Sequence, residues 1–266
     1  MTPTLTPTVS QVPATYYVSA SASGTVAGIP YQDEDILAFD TLTGTWSTYF
    51  DGTDVGLSSV NLDAFSLMSD GSILLSLNAS LSVTGLGTVQ NADIIRFIPT
   101  SLGDNTAGSF AWYFDGSDVG LTQSGENIDA IAFAPDGRLL FSTNGSLGVT
   151  GVSAVDEDIT AFTPTQLGAT TAGTFALYFD GSDVGLSNLS TEDTDGLWVD
   201  PLTGKIYLST EGAYAVTGVS GDGADIFICT PGSLGATTTC TFGPGIFFDG
   251  IPFGFGNFDD IHIQFP

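Results

Sequence analysis

Three observations predict an all-β chain folded as a four-bladed β-propeller with four antiparallel strands per blade. An octapeptide returns at a fixed interval, each interval holds four short apolar runs, and the two ends of the chain carry complementary half-units. The octapeptide is Phe50-Asp51-Gly52-Thr53-Asp54-Val55-Gly56-Leu57. It returns as FDGSDVGL at Phe114–Leu121 and Phe179–Leu186, and in degraded form as Phe248-Asp249-Gly250. A spacing of about 65 residues is too long for one hairpin and suits one four-stranded sheet.

The third unit shows the strands most clearly. Ile128–Ala134 is strand a, and the Pro135-Asp136-Gly137 turn leads into strand b, Arg138–Thr143. Strand c follows at Asp158–Thr163 and strand d at Thr174–Phe179. All four are rich in β-branched and aromatic residues and bounded by turn formers. The second unit repeats the order with LDAFSL, ILLSL, DIIRFI and SFAWYF, and the fourth with TDGLWV, KIYLST, DIFICT and GIFF. The first unit has strands b, c and d (Thr15–Ser19, Asp35–Phe39, Thr45–Phe50) but no strand a, which the last residues, Phe258–Phe265, supply. Pairing the two ends closes the ring and removes its open edge.

The expected organisation is an extended Thr/Pro-rich segment, residues 1–14, followed by one propeller domain, residues 15–266. Blade 1 takes residues 15–50 plus 258–265, blade 2 takes 62–114, blade 3 takes 128–179 and blade 4 takes 194–248. The N-terminal residues lack the basic and apolar regions of a signal peptide, so the signal is either absent or already removed. Their composition suits a spacer that carries a domain away from a surface.

The charge is one-sided. Of 266 residues, 30 are Asp or Glu and 3 are Lys or Arg, a formal net charge of -27. Nucleic-acid phosphate and anionic membrane surfaces are repelled, and no stretch approaches the ~18–20 apolar residues of a membrane span, so nucleic-acid partners and direct membrane insertion are not expected. Strand directions alternate, so the d–a and b–c connections share one face and carry roughly 25 of the acids. The other face keeps Asp40, Asp70, Asp104, Asp136 and Asp200.

Three Asp series recur by position. Asp63, Asp129, Asp195 and Asp259 open strand a, beside the central channel. Asp35, Asp93, Asp158 and Asp225 open strand c, and Asp51, Asp115, Asp180 and Asp249 close strand d. Carboxylates so crowded repel one another unless turn N–H groups, salt or bound cations offset the charge. One reading is Ca²⁺, an ion that takes six to eight oxygens. The strand-a ring then forms a channel-mouth site, and the loop pairs Asp51/Asp54, Asp115/Asp118 and Asp180/Asp183 form peripheral ones. The other reading is that these Asp residues cap turns by accepting from their own backbone.

Cys229 and Cys240 fall eleven positions apart across one hairpin, where the third unit has Phe162 and Gly173. They are expected to form a cross-strand disulfide, which implies an oxidising compartment. His262, the single histidine, falls in mid-strand where blades pack, so an inter-blade packing role is expected and a Ser-His-Asp triad is not. Trp46 and Trp112 fall in outer strands and read as packing residues.

The turns PDGR and DPLTGK, each leading into a strand that ends in Ser-Thr, resemble those of many bacterial propeller repeats. The FDGSDVGL unit resembles repeats of uncharacterised secreted bacterial proteins. The resemblance covers residues 15–266 and implies architecture, not an activity.

The expected function is a non-enzymatic extracellular or cell-surface module for binding or assembly, stabilised by cations. It is expected to take a surface glycan or protein ligand, or to self-associate through its N-terminal tail. The alternatives are a Ca²⁺-dependent hydrolase or lactonase-like propeller, or a lectin. The enzyme alternative predicts an asymmetric ligand cluster on the acidic face, with Glu192, Asp193 and Trp198 in the unit that departs most from the repeat.

Overall fold

The computed structural model describes residues 13–266. The proposed docking tail therefore lies almost wholly outside the described residues. Four antiparallel sheets stand around one axis, each ordered from inside outward. Blade 2 runs Ala64–Leu67, Ile73–Ser76, Ile94–Ser101, Ala107–Phe114. Blade 3 runs Ile128–Phe133, Leu139–Thr143, Ile159–Gln166, Ala172–Phe179, and blade 4 runs Thr194–Val199, Ile206–Thr210, Asp225–Ser233, Thr239–Phe242. In blade 1 the C-terminal strand Phe258–Gln264 is innermost and pairs antiparallel with Thr15–Ala20, Tyr17 opposite His262. The ring is closed as the half-units predict.

Two features go beyond the predicted strands. Each b–c connection folds into its own short hairpin, such as Leu81–Val83 with Gly87–Val89. The c–d hairpins of blades 2, 3 and 4 reach the preceding blade, and those of blades 2 and 3 run longer than expected. In blade 4 the outer strand is Thr239–Phe242 rather than the GIFF run, of which only Phe248, with Asp249, pairs with Asp225–Ser233. In blade 2 the Gly103 N–H donates to the Tyr49 carbonyl of blade 1 at 2.8 Å, so this tip does not stay with the a–b turns.

Each blade-to-blade seam buries its own apolar cluster. At the 1/2 seam Phe50, Phe65, Leu75 and Phe97 are buried together. The octapeptide builds three of the four seams. The Asp54 carboxylate accepts from the Thr106 N–H of the next blade at 2.9 Å, and the Asp51 N–H donates to Thr106 Oγ1 at 2.9 Å. Asp118 and Asp115 repeat this on Thr171, and Asp183 and Asp180 on Thr238. The Gly of each FDG lies against the preceding b–c loop, where a Cβ would collide with the carbonyl of Glu34, Ala92 or Glu157. At the closing seam the motif reads FDGIPFGF, and rings of Tyr16, Phe39, Trp46, Phe248, Phe253 and Phe255 pack together instead.

Candidate functional site at the acidic mouth of the channel

The four inner strands place Asp63, Asp129, Asp195 and Asp259 around one cavity of about 430 Å³. Two further rings come from the same repeat positions. Two residues before each Asp stand Asn61, Asn127, Asp193 and Asn257, and two after the strand-b serines stand Ser21, Asn78, Asn144 and Glu211. Sequence reasoning singled out the first ring. The other two are visible once the units are aligned, because Asn recurs at offset -2 in three units of four.

Side-chain amides tie part of the ring together. Asn127 Nδ2 donates to Asp63 Oδ2 of the neighbouring blade at 2.6 Å, and Asn61 hydrogen-bonds Asp259 in the same sense. The fourth unit breaks the pattern. Asp193 stands where the others have Asn, so its carboxylate, rather than an amide, faces Asp129. Burial, then mutual repulsion, raises these groups. Burial takes Asp63 to about 6 and Asp193 to about 8. Asp129, Asp195 and Asp259 are pushed well above the ordinary range by burial first and by neighbouring carboxylates second.

Below this mouth lies a residue the sequence reading did not single out. Asp260 is 0% exposed, and its carboxylate accepts from one equivalent backbone N–H in every blade. The donors are Phe65 at 2.8 Å, Ile131 at 3.1 Å, Leu197 at 3.0 Å and Ile261 at 2.7 Å. The other units have Ala64, Ala130 and Gly196 at this position, which leaves room for a single carboxylate on the axis. Burial raises this carboxyl and the four donors oppose it. All four contacts donate to oxygen, so the arrangement satisfies a carboxylate. An Asp among small residues at one aligned position was the available signal.

The opposite mouth is different. There a cavity of about 630 Å³ is lined by Tyr49, Phe133, Trp198, His262 and Phe265 among others. His262 is packed against Tyr17 and Trp198, Nδ1 accepts from the Leu67 N–H at 3.4 Å, and burial lowers it to about 3. Trp198 is thus not on the acidic face. Glu192 caps a loop, its carboxylate accepting from the N–H groups of Asn188, Leu189 and Ala215. The trio Glu192, Asp193 and Trp198 is not one site.

The other Asp series do structural work here. Asp35 accepts from Gln32 and Gly52, Asp93 from Gln90 and Gly116, and Asp158 from Val155 and Gly181, bracing three b–c hairpins to the FDG glycine, whereas Asp225 accepts only from Asp222 and Gly250 donates to the Ala224 carbonyl. Asp51, Asp115 and Asp180 cap the turn that follows them. Among the described residues, no three Asp, Glu, His or Cys side chains converge as a preformed metal site. Cys229 and Cys240 are joined, with Cα atoms 5.5 Å apart. They replace the packing of Phe162 over Gly173, where a Cβ would strike the ring.

No protein-family model matches the chain, and no curated protein matches it. Among solved structures it is similar to YCF48 bound to a D1 peptide, at 13% identity and TM-score 0.34, over 79% of this chain and 48% of that one. It is also similar to a catalytically inactive virginiamycin B lyase from Staphylococcus aureus with quinupristin, at 11% identity and TM-score 0.34, over 89% of this chain and 71% of that one. A streptogramin B lyase matches at 12% identity and TM-score 0.34, over 86% and 68%. The chain spans about half the length of the first of these. The fold rests on the sheet topology, and these likenesses give the chain no activity, substrate or partner.

Proposed function

We propose that the chain is a non-enzymatic extracellular or cell-surface module for binding or assembly, whose acidic face works loaded with divalent cations, Ca²⁺ by preference. The observation that carries the reading is the ring of buried and half-buried carboxylates at the channel mouth with no cationic side chain among them. Arg96 and Arg138 are paired with Asp70 and Asp136, so neutralising charge has to come from solution. The Cys229–Cys240 disulfide fits an oxidising compartment, and the single imidazole is buried at the other mouth, away from these acids. Two such faces repel each other unless cations screen or bridge them.

Light scattering of the purified full chain tests this. The expected result is a rise in mass in millimolar Ca²⁺, reversed by EDTA and weakened by deletion of residues 1–12. A monomer under all conditions overturns assembly. A second reading, a Ca²⁺-dependent hydrolase, is favoured by the asymmetry of the ring at Asp193 and Glu211. Turnover of a lactone or phosphoester, lost in Asp129→Asn, would replace the first reading with the second.

A further inference from the structure

We propose that the acidic mouth holds one partly hydrated Ca²⁺ on the axis, gripped from opposite blades by Asn127 and Asp129 on one side and Asn257 and Asp259 on the other. This rests on the acidic face being cation-loaded, and it names the ligands. Asn127 Oδ1, Asp129 Oδ2, Asn257 Oδ1 and Asp259 Oδ2 are all buried without a hydrogen-bond partner. All four residues line the same cavity. Asp129 and Asp259 are only 3% and 5% exposed, so bulk water does not hydrate them. A buried acceptor without a donor costs free energy comparable to a lost hydrogen bond. Four of them on one cavity point to a missing positive partner.

The donor set identifies that partner. It is all oxygen, mixing carboxylate with amide carbonyl, and contains no nitrogen or sulfur. That suits Ca²⁺, which accepts Asn carbonyls, carboxylates and waters in flexible geometry, better than zinc or Mg²⁺. Asp63 and Asp195 from the other two blades line the cavity too and add charge. The acids do not converge on one point, and the remaining coordination falls to water. A space of about 430 Å³ holds an ion and several waters.

The test is calorimetric titration of CaCl2 into the metal-free full chain, paired with melting curves in Ca²⁺ and in NaCl of matched ionic strength. Wild type should show one strong site and a raised midpoint. The double variant Asp129→Asn with Asp259→Asn should lose at least ~100-fold in affinity, and Asp259→Asn alone about 10-fold. In EDTA the double variant should melt no lower than wild type, because repulsion is removed. Asp183→Asn, at a blade seam, should bind as wild type does. Retention of Ca²⁺ within about threefold by the double variant overturns the assignment. Loss in Asp183→Asn instead also overturns it, but leaves the cation-loaded face standing at the seams. No binding by wild type overturns both.

Discussion

The two mouths of the channel are built from the ends of the same four strands, yet they share almost no chemistry. At one end the strands begin on Asp63, Asp129, Asp195 and Asp259, and the walls are Asn and Asp. At the other end, three to six residues further along, the walls are Phe133, Trp198, His262 and Phe265. Repeat symmetry makes the acidic end nearly uniform, whereas at the other end Trp198 and His262 stand where blades 3 and 2 have Ala132 and Ser66. Between the two environments stands one residue that no other blade repeats. Asp260 fills the axis between them, anchored to every blade.

Removing that divider should have the largest effect. Asp260→Ala copies what blades 2 and 3 carry, so it introduces no clash, but it leaves four buried N–H groups without an acceptor. The expected loss is about 3–5 kcal/mol, read by denaturant unfolding. Asp260→Asn keeps the size and one acceptor oxygen and should lose less. A loss under about 1 kcal/mol for the Ala variant would show that the mouths are separated without the divider.

The contrast between the mouths also explains what was legible from sequence. The fold was legible because the octapeptide, the strand runs and the split blade are local signals repeated along the chain. The Asp63 series was legible for the same reason. Asp260 was not, because its partners lie 63 to 195 residues away and its meaning depends on being unlike Ala64, Ala130 and Gly196. The roles of Asp54, Asp118 and Asp183 were likewise hidden. The spacing within FDGSDVGL suits an ion loop and a turn cap equally, and the deciding partners, Thr106, Thr171 and Thr238, sit in the next blade.

A second prediction separates the mouths by pH. On the acidic side burial raises Asp35 and Asp225 to about 6 and Glu157 to about 7. The folded chain then holds protons that the unfolded chain has released, so stability falls as pH rises from about 5 to 8. All three carboxyls are buried, 2–7% exposed, and the channel carboxylates add in the same direction. His262 acts oppositely. Its pKa is lowered to about 3, so the stability of the neutral ring is lost as pH falls below the unfolded value of about 6.5. Melting midpoints in EDTA should therefore decline from about pH 5 to 8, because many raised carboxyls outweigh one histidine. His262→Phe removes the opposing contribution and should steepen the decline below about pH 6.5, and a profile rising steadily to pH 8 would contradict the raised carboxyls.

The smallest expected effect sharpens the comparison within the acidic mouth itself. Three units place Asn at the position where blade 4 has Asp193, and in blades 2 and 3 that amide bonds a neighbouring Asp carboxylate. Asp193→Asn would give blade 4 the same contact with Asp129, in a backbone that already accepts Asn elsewhere in the ring. Two carboxylates that repel become a donor and an acceptor. In EDTA at pH 9, above the raised pKa of Asp193, the midpoint should rise by ~2–4 °C, about 1 kcal/mol for a chain of this size. The gain should shrink at pH 5, where Asp193, raised to about 8, is already protonated and can donate to Asp129. A gain that does not depend on pH would mean that charge at this position costs nothing, and that blade 4 differs from its siblings only in shape.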